Sequence, residues 1–217
     1  MIKITESIKL KCPTLRLGII RCSVQVLDNN NELWEVINTK IAALEKMETS
    51  EIGKITTITA TRKGYRALGK DPARYRPSAE SLLRRVVKGK GLYKINNVVD
   101  VLNLVSISTG FSIGGYDSDQ IEGEIVLDIG KLNEPYEGIG RGSLNIEGLA
   151  TFRDDRGVFG TPTSDSIRTS VTGGTTKFLM VIVDFGGTET LTVGLALAVD
   201  LLKRFGKASN IEQSIVN

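Results

Sequence analysis

The chain has 217 residues, of which 41% are hydrophobic and 24% are charged, and its formal net charge at pH 7 is +3. This balance is typical of a globular protein and argues against the disordered, collagen-like and membrane-spanning classes. The sequence contains no histidine, which excludes Ser-His-Asp and Cys-His catalysis, an imidazole base and a His-ligated metal site. We expect a single domain over residues 1–217, with no metal and no cofactor.

The N-terminal third predicts two strands and a helix, followed by a region of mixed signals. The segments IKLKC (8–12) and LRLGIIRCSVQVL (15–27) alternate loosely, as half-buried strands do. Apolar residues then recur at helical spacing over 32–47. Residues 52–60 combine the β-branched content of a strand with a helical continuation, so both structures stay open there. Residues 69–77 are predicted as a loop because Asp-Pro and Arg-Pro resist helix formation.

The rest of the chain predicts helices, then strands, then a final helix. Ser78 can cap an amphipathic helix, and residues 97–108 form a second helix that is apolar on nearly all sides. From 110 to 187, glycine-rich turns separate short strands, and an amphipathic helix runs over 188–206. This order, without regular β-α alternation, predicts the α+β class.

Charge is distributed unevenly along the chain. Residues 54–94 contain twelve basic side chains but only Asp71 and Glu80 as acids, a net charge of +10, whereas 95–137 carries −7. A solvated, salt-bridged surface is one interpretation of the basic region. RNA binding is the other, because arginines match phosphates and interleaved tyrosines offer stacking faces. The tyrosines are Tyr65, Tyr75 and Tyr93, and the predicted RNA-binding residues are Arg74, Arg76, Arg84, Arg85 and Lys88.

Two groups of polar residues could line a pocket. Asn96, Asp100 and Asn103 lie at i, i+4 and i+7, so they share one face of the buried helix, where they must be hydrogen-bonded or line a cavity. The segment GTPTSDS at 160–166 offers hydroxyls and the carboxylate of Asp165. A turn held by its own side chains is the alternative there.

The sequence also indicates the compartment. Cys12 and Cys22 lack C-x-x-C spacing, and the N-terminal MIKITESIKLKC has no continuous apolar segment typical of a secretory signal. The longest apolar stretch, 191–202, is interrupted by Asp200 and is too short to cross a bilayer. We expect a cytoplasmic protein with reduced thiols and no membrane partner.

Two motifs carry a resemblance to a known family. NNVVDVLNLV, with V-V-D-V-x-N over 98–103, is followed by Tyr-Asp-x-Asp-x-Ile-Glu-Gly over 116–123. This arrangement resembles the tRNA-binding and editing module, the B3/B4 region, of the phenylalanyl-tRNA synthetase beta subunit. The similarity runs over about residues 84–187.

The resemblance implies a β-sandwich-like core with covering helices and a pocket for the 3′ end of an aminoacyl-tRNA. In the synthetase this module hydrolyses tyrosine wrongly attached to the phenylalanine tRNA. Asn103 takes the place of the family's pocket asparagine, whereas Gly114 stands where the family has histidine, and about Val181 where it has glutamate. The candidate substrate-binding residues are Asp100, Asn103, Gly114, Gly160, Thr161 and Ser164, with Asp165 as the candidate catalytic carboxylate.

Two functions remain open from the sequence. The first is a tRNA-binding module that acts in trans as a deacylase of misacylated tRNA. The second is a non-catalytic RNA-binding or amino-acid-binding protein that kept the fold and lost the chemistry. No part of the chain resembles a synthetase catalytic core, so we do not expect a complete aminoacyl-tRNA synthetase.

Overall fold

The computed structural model describes residues 2–217, which form ten strands and seven helices. The strands are β1 (Ile2–Ile4), β2 (Arg16–Ser23), β3 (Ser112–Asp117), β4 (Ile125–Ile129), β5 (Glu137–Gly138), β6 (Gly142–Ser143), β7 (Ala150–Asp154), β8 (Gly157–Gly160), β9 (Lys177–Asp184) and β10 (Ser209–Val216). The helices are α1 (Glu6–Lys11), α2 (Asn31–Leu44), α3 (Thr49–Ile52), α4 (Thr56–Leu68), α5 (Ser78–Val87), α6 (Asn97–Thr109) and α7 (Thr190–Gly206).

These elements form three layers, with an antiparallel sheet of order β10-β2-β9-β3 in the middle. A second sheet, of order β1-β4-β7-β8, packs on one face of it. Within that second sheet β1 runs parallel to β4, and the other neighbours are antiparallel. Helices α2, α5, α6 and α7 cover the opposite face. The predicted α+β class, with a β-sandwich-like core and covering helices, is confirmed.

Strand β9 shows how one sheet supports two cores. Seven of its eight residues are buried, because alternate side chains point to opposite faces and both faces are covered. Met180 and Ile182 pack into the helical core, whereas Val181 and Val183 pack against the second sheet. A continuous apolar run is therefore what this strand requires.

Helix α6 lies at the centre of the helical layer. It packs against α2, α5 and α7 and against β3, and nine of its residues are buried. The prediction of a buried helix is therefore confirmed. Helix α4 links the two cores, since Ile58 belongs to the helical core and Tyr65 and Leu68 belong to the core between the sheets.

The structure corrects some of the predicted elements. The segment IKLKC is a helix, α1, instead of a strand, because its buried residues Ile8 and Cys12 are one helical turn apart while Leu10 is 82% exposed. The ambiguous segment 52–60 is helical from Thr56 onwards. Strand β10 matched no predicted pattern, because it lies at the sheet edge with most of its residues exposed.

The predicted cap of α5 is also wrong by one residue. The helix begins at Ser78 and its N-cap is Pro77, which makes no side-chain cap, while the Ala79 amide donates to the Ser112 hydroxyl at 3.4 Å. The Ser78 amide instead donates a hydrogen bond of 2.8 Å to the carbonyl of Pro162. That bond ties the start of α5 to the hydroxyl-rich segment predicted as a site.

Candidate functional site

Three arginines from different parts of the basic region converge on one buried carboxylate. Arg62 lies on α4, Arg76 in the loop before α5, and Arg84 on α5 itself. Their nearest nitrogens lie 3.3, 3.6 and 2.8 Å, in that order, from Oε1 of Glu80. The Glu80 side chain is 1% exposed, whereas those of the arginines are 23%, 42% and 26% exposed. We call these four residues the arginine cluster.

The arginine cluster has more positive charge than its carboxylate can compensate. One Glu80 carboxylate balances one of the three guanidinium charges, so two remain in excess. Oε2 of Glu80 is buried and has no hydrogen-bond partner within residues 2–217. Each guanidinium carries five N–H donors in a planar fork that fits a phosphate. The cluster can therefore accept an anion.

Sequence analysis missed the role of Glu80, although a signal was present. Arg76, Glu80 and Arg84 are spaced four residues apart, which is the spacing of side chains that meet on a helix. Arg62 is eighteen residues from Glu80, so only the tertiary fold brings its guanidinium to this carboxylate.

The other cations of the basic region have different surroundings. The Arg85 guanidinium lies 3.8 Å from the centroid of the Tyr93 ring. Lys88 is exposed just after α5. Lys70 is buried, and its Nζ donates to two backbone carbonyls of the 145–147 segment at 2.8 and 2.6 Å. Lys70 therefore holds a loop in place and does not contribute to an exposed binding surface.

The three tyrosines are not equally available for stacking. Tyr65 is fully buried, so the expectation that its ring can stack on a base is wrong. Tyr75 is half-buried, with Lys70 Nζ 3.7 Å and the Arg74 guanidinium 5.6 Å from its ring centroid, and Arg74 is exposed. Tyr93 is 63% exposed, and because the Arg85 guanidinium lies over one face of its ring, the opposite face is the one that can stack on a base.

A second cluster is built around residues 160–166, which we call the tyrosine-anchored turn. Three tyrosine hydroxyls, from α4, β3 and the loop after β4, reach this turn and bond to successive residues. The pairs are Tyr65 with Thr163 Oγ1 at 2.8 Å, Tyr136 with the Ser164 carbonyl at 2.6 Å, and Tyr116 with Asp165 Oδ1 at 2.9 Å. Sequence analysis found the turn but missed these three partners, which lie far away along the chain.

The turn also holds itself together. Thr161 Oγ1 accepts bonds of 3.1 Å from the amides of Thr163 and Ser164 and donates one of 3.0 Å to the Ser164 carbonyl. Thr161 and Thr163 are buried, and Ser164 is half-buried. These local hydrogen bonds fix the backbone conformation of the turn that carries Asp165.

Asp165 is the titratable group of this cluster. Burial raises the pKa of its carboxyl from 3.8 to about 7, while hydrogen bonds from the Tyr116 hydroxyl and the Gly115 amide act in the opposite direction. Burial also raises the pKa of Tyr116 well above 10, so its hydroxyl stays a donor. A carboxyl with a pKa near neutrality can exchange a proton at physiological pH.

Gly114 and Gly160 lie on either side of the Tyr116 ring. A side chain at either glycine would overlap the Tyr116 hydroxyl, so both positions must lack one for the ring to reach Asp165. Gly114 pairs directly with Val181 across β3 and β9, so the positions that the resemblance assigns to the family's histidine and, approximately, to its glutamate are neighbours in this sheet. In this chain the Tyr116 ring fills the space beside Gly114.

The polar residues of α6 have separate partners. Asn96 caps the helix through Val99, and its amide also donates to the Val171 carbonyl at 3.4 Å. Asp100 is buried and accepts bonds from Trp34 Nε1 at 2.8 Å and from the Ile95 amide at 3.1 Å. Burial raises the pKa of Asp100. Asn103 is half-buried, and its side chain makes no hydrogen bond within residues 2–217.

The structure also bears on metals, thiols and membranes. Cys12 and Cys22 are free and buried, and burial raises the pKa of both thiols. Across residues 2–217 no group of three or more His, Cys, Asp or Glu side chains is placed to hold a metal ion. In the same part of the chain, every helix is too short or too polar to span a bilayer.

Comparison with known proteins identifies the family. The model of the B3/4 domain matches residues 60–214. The fold is similar to the crystal structure of an N-terminal fragment of the phenylalanyl-tRNA synthetase beta subunit from Pyrococcus horikoshii, with a TM-score of 0.51 and 14% identity. The alignment covers 100% of this chain and 54% of that fragment, so the chain spans about half of its length. No curated protein sequence matches. The chain belongs to the B3/4 domain family.

Proposed function

We propose that this chain binds tRNA through the arginine cluster, in the cytoplasm. The observation that carries the proposal is the convergence of Arg62, Arg76 and Arg84 on a single carboxylate, which leaves two positive charges uncompensated. Guanidinium forks are suited to phosphate oxygens, and the exposed ring of Tyr93 offers a stacking face for an unpaired base. The family supports a tRNA partner, since a B3/4-like structure occurs in a tRNA synthetase subunit.

Binding of unacylated tRNA to the whole chain, measured by filter retention at low salt, tests this proposal. Arg76→Gln combined with Arg84→Gln should weaken binding by about tenfold or more, because two phosphate-facing charges are lost. Lys46→Gln combined with Lys207→Gln is the matched control, since both lysines are exposed and the charge change is the same. Equal loss in both variants, or no binding by the unaltered protein, would contradict the proposal.

A second candidate function is hydrolysis of the ester bond of an aminoacyl-tRNA, which the raised pKa of Asp165 favours. In its ionised form Asp165 takes a proton from a water molecule that attacks the ester carbonyl carbon. The bond between that carbon and the ribose oxygen then breaks, and the ribose oxygen receives the proton. We propose as substrate-binding residues Asp100, Asn103, Gly114, Gly160, Thr161 and Ser164, with Asn103 offering the unengaged amide.

A deacylation screen separates the two functions. Each tRNA is supplied with a correct or an incorrect amino acid, and ester loss is compared between the unaltered chain and Asp165→Asn. Faster loss from one mischarged tRNA, abolished by Asp165→Asn, supports the hydrolase. Retained tRNA binding with no ester loss supports a non-catalytic binder, for which the filling of the space beside Gly114 by Tyr116 is the structural reason.

A further inference from the structure

A cleft on the side of α4 lies outside both clusters described above. It opens between the end of α1, the outer face of α4 and the turn that follows β9. Its volume is about 520 Å³, within the range of pockets that hold small molecules. Its apolar lining includes Ala60, Ala67 and Phe185.

The charged residues that line the cleft are all positive. Lys11, Lys54 and Lys63 come from α1, the turn before α4 and α4 itself, and the lining contains no Asp or Glu. Within residues 2–217 none of the three lysines forms an ion pair. Like charges gathered without acids repel one another, and a bound anion relieves that repulsion.

Two acids adjoin the cleft lining in sequence: Glu189, which is exposed, and Asp184, which is already engaged. Asp184 precedes Phe185, is buried, and accepts hydrogen bonds from the Gly186 and Thr188 amides. It also pairs with Arg16 at 3.5 Å. The carboxylate of Asp184 is therefore paired inside the protein and does not neutralise the lysines of the cleft.

The start of α4 adds further donors on the same side. Thr56 lines the cleft and is the first residue of this thirteen-residue helix. The amides of the first helical turn have no acceptor inside the helix, and no side chain caps α4. Of the first three residues of α4 only Thr56 lines the cleft, since Thr57 and Ile58 are buried, so its amide and hydroxyl are the donors that this helix start adds to the lysines.

We propose that this cleft binds a free phosphorylated small molecule that carries at least two phosphate charges and an apolar or ring portion. The three lysines hold the phosphates near the start of α4. The surface formed by Ala60, Ala67 and Phe185 receives the ring portion. This site is separate from the proposed RNA surface, which rests on arginines that contact Glu80.

Calorimetric titration of the whole chain with ADP, pyrophosphate and adenosine, without divalent cations, tests the proposal. ADP and pyrophosphate should bind with a Kd below about 1 mM, and Lys54→Gln combined with Lys63→Gln should weaken both by about tenfold or more. Lys46→Gln combined with Lys207→Gln should leave both unchanged. No binding of ADP or pyrophosphate, adenosine binding as tightly as ADP, or equal loss in the control variant would overturn the proposal.

A second arm distinguishes a free phosphate compound from the phosphates of RNA. The Lys54→Gln and Lys63→Gln variant should keep its tRNA affinity, whereas the Arg76→Gln and Arg84→Gln variant should keep its ADP affinity. If the lysine variant loses tRNA binding as strongly as the arginine variant, the cleft is part of the RNA surface and the proposal is wrong. Failure of tRNA binding in every variant would not affect the ADP result, so the two proposals fail separately.

Discussion

The arginine cluster and the tyrosine-anchored turn both surround one carboxyl group, but with opposite kinds of partner. Glu80 is faced by three guanidinium groups that lie at the protein surface. Asp165 is faced by a buried tyrosine hydroxyl and a backbone amide, and no cation contributes to its electrostatics. A cation favours the charged form of a carboxyl, whereas burial without one favours the neutral form.

The difference separates a carboxyl group that gathers cations from one that can exchange a proton. Glu80 holds three arginines at one place, which suits recognition of phosphate. Asp165 has its pKa near neutrality, which suits proton transfer and also makes the stability of the turn depend on pH. Each prediction below alters one of the two regions and leaves the other intact.

The largest effect is expected from Gly114→Ala in the tyrosine-anchored turn region. The added methyl group would overlap the Tyr116 hydroxyl and displace it from Asp165. Overpacking and the lost hydrogen bond should together lower the free energy of unfolding by about 3 kcal/mol, as measured by urea denaturation. Gly173→Ala is the control, because a side chain there would meet open space. Equal stability of the two variants would show that the Tyr116 ring does not require Gly114.

Glu80→Gln should produce a smaller loss of stability in the arginine cluster. The three guanidinium groups then repel one another without a compensating charge, but water reaches them because they are partly exposed. We expect the free energy of unfolding to fall by about 2 kcal/mol. Glu45→Gln, at an exposed position, should change it little. A Glu80 variant as stable as the Glu45 variant would mean that the arginines do not depend on this carboxylate.

The two regions also differ in how far they could be predicted from the sequence. The basic region was visible as a charge block, and the spacing of Arg76, Glu80 and Arg84 is local. The turn at 160–166 was visible through its hydroxyls, but Tyr65, Tyr116 and Tyr136 reach it only after α4, β3 and the loop after β4 have packed. Local spacing carries no information about such contacts.

The same limit explains which elements were predicted. The buried helix α6 has a long apolar run and was predicted over 97–108, and the apolar run of β9 lies within the region 110–187 for which strands were predicted. In α1, only the burial of Ile8 and Cys12, one turn apart, distinguishes a helix from a strand, and burial is set by neighbours distant in the sequence. Edge strand β10 buries too little surface to produce a hydrophobic pattern in the sequence.

The salt dependence of tRNA binding sharpens the role of the basic region. If about four phosphates are neutralised, the log-log slope of affinity against salt should be near −3, at roughly −0.7 per phosphate for single strands. Combining Arg84→Gln, Arg85→Gln and Lys88→Gln should flatten the slope to about −1. Filter binding over a range of salt concentrations measures the slope for the unaltered chain and for the triple variant. An unchanged slope would show that these three side chains do not contact phosphate.

The last prediction is a pH dependence of stability that comes from Asp165. Its pKa is about 7 in the folded chain and near 3.8 when unfolded, so between these values the folded state holds a proton that the unfolded state has released. The free energy of unfolding should therefore fall as pH rises from about 4 to 7, by at most about 1.4 kcal/mol per pH unit, and level off above 7. Asp165→Asn cannot titrate, so its profile over this range should be flatter.

The difference between the two profiles isolates Asp165 from every other group. Tyr116 and Tyr136 do not interfere, because burial moves the pKa of both hydroxyls further above 10. Thermal midpoints at pH 5, 6, 7 and 8 for the unaltered chain and for Asp165→Asn are sufficient. Glu80→Gln gives the comparison from the other region, and its profile should run parallel to that of the unaltered chain because Asp165 is untouched. If the thermal midpoints of Asp165→Asn follow those of the unaltered chain at all four pH values, Asp165 is ionised throughout this range. Asp165 then cannot exchange a proton near neutrality, as the hydrolase candidate requires.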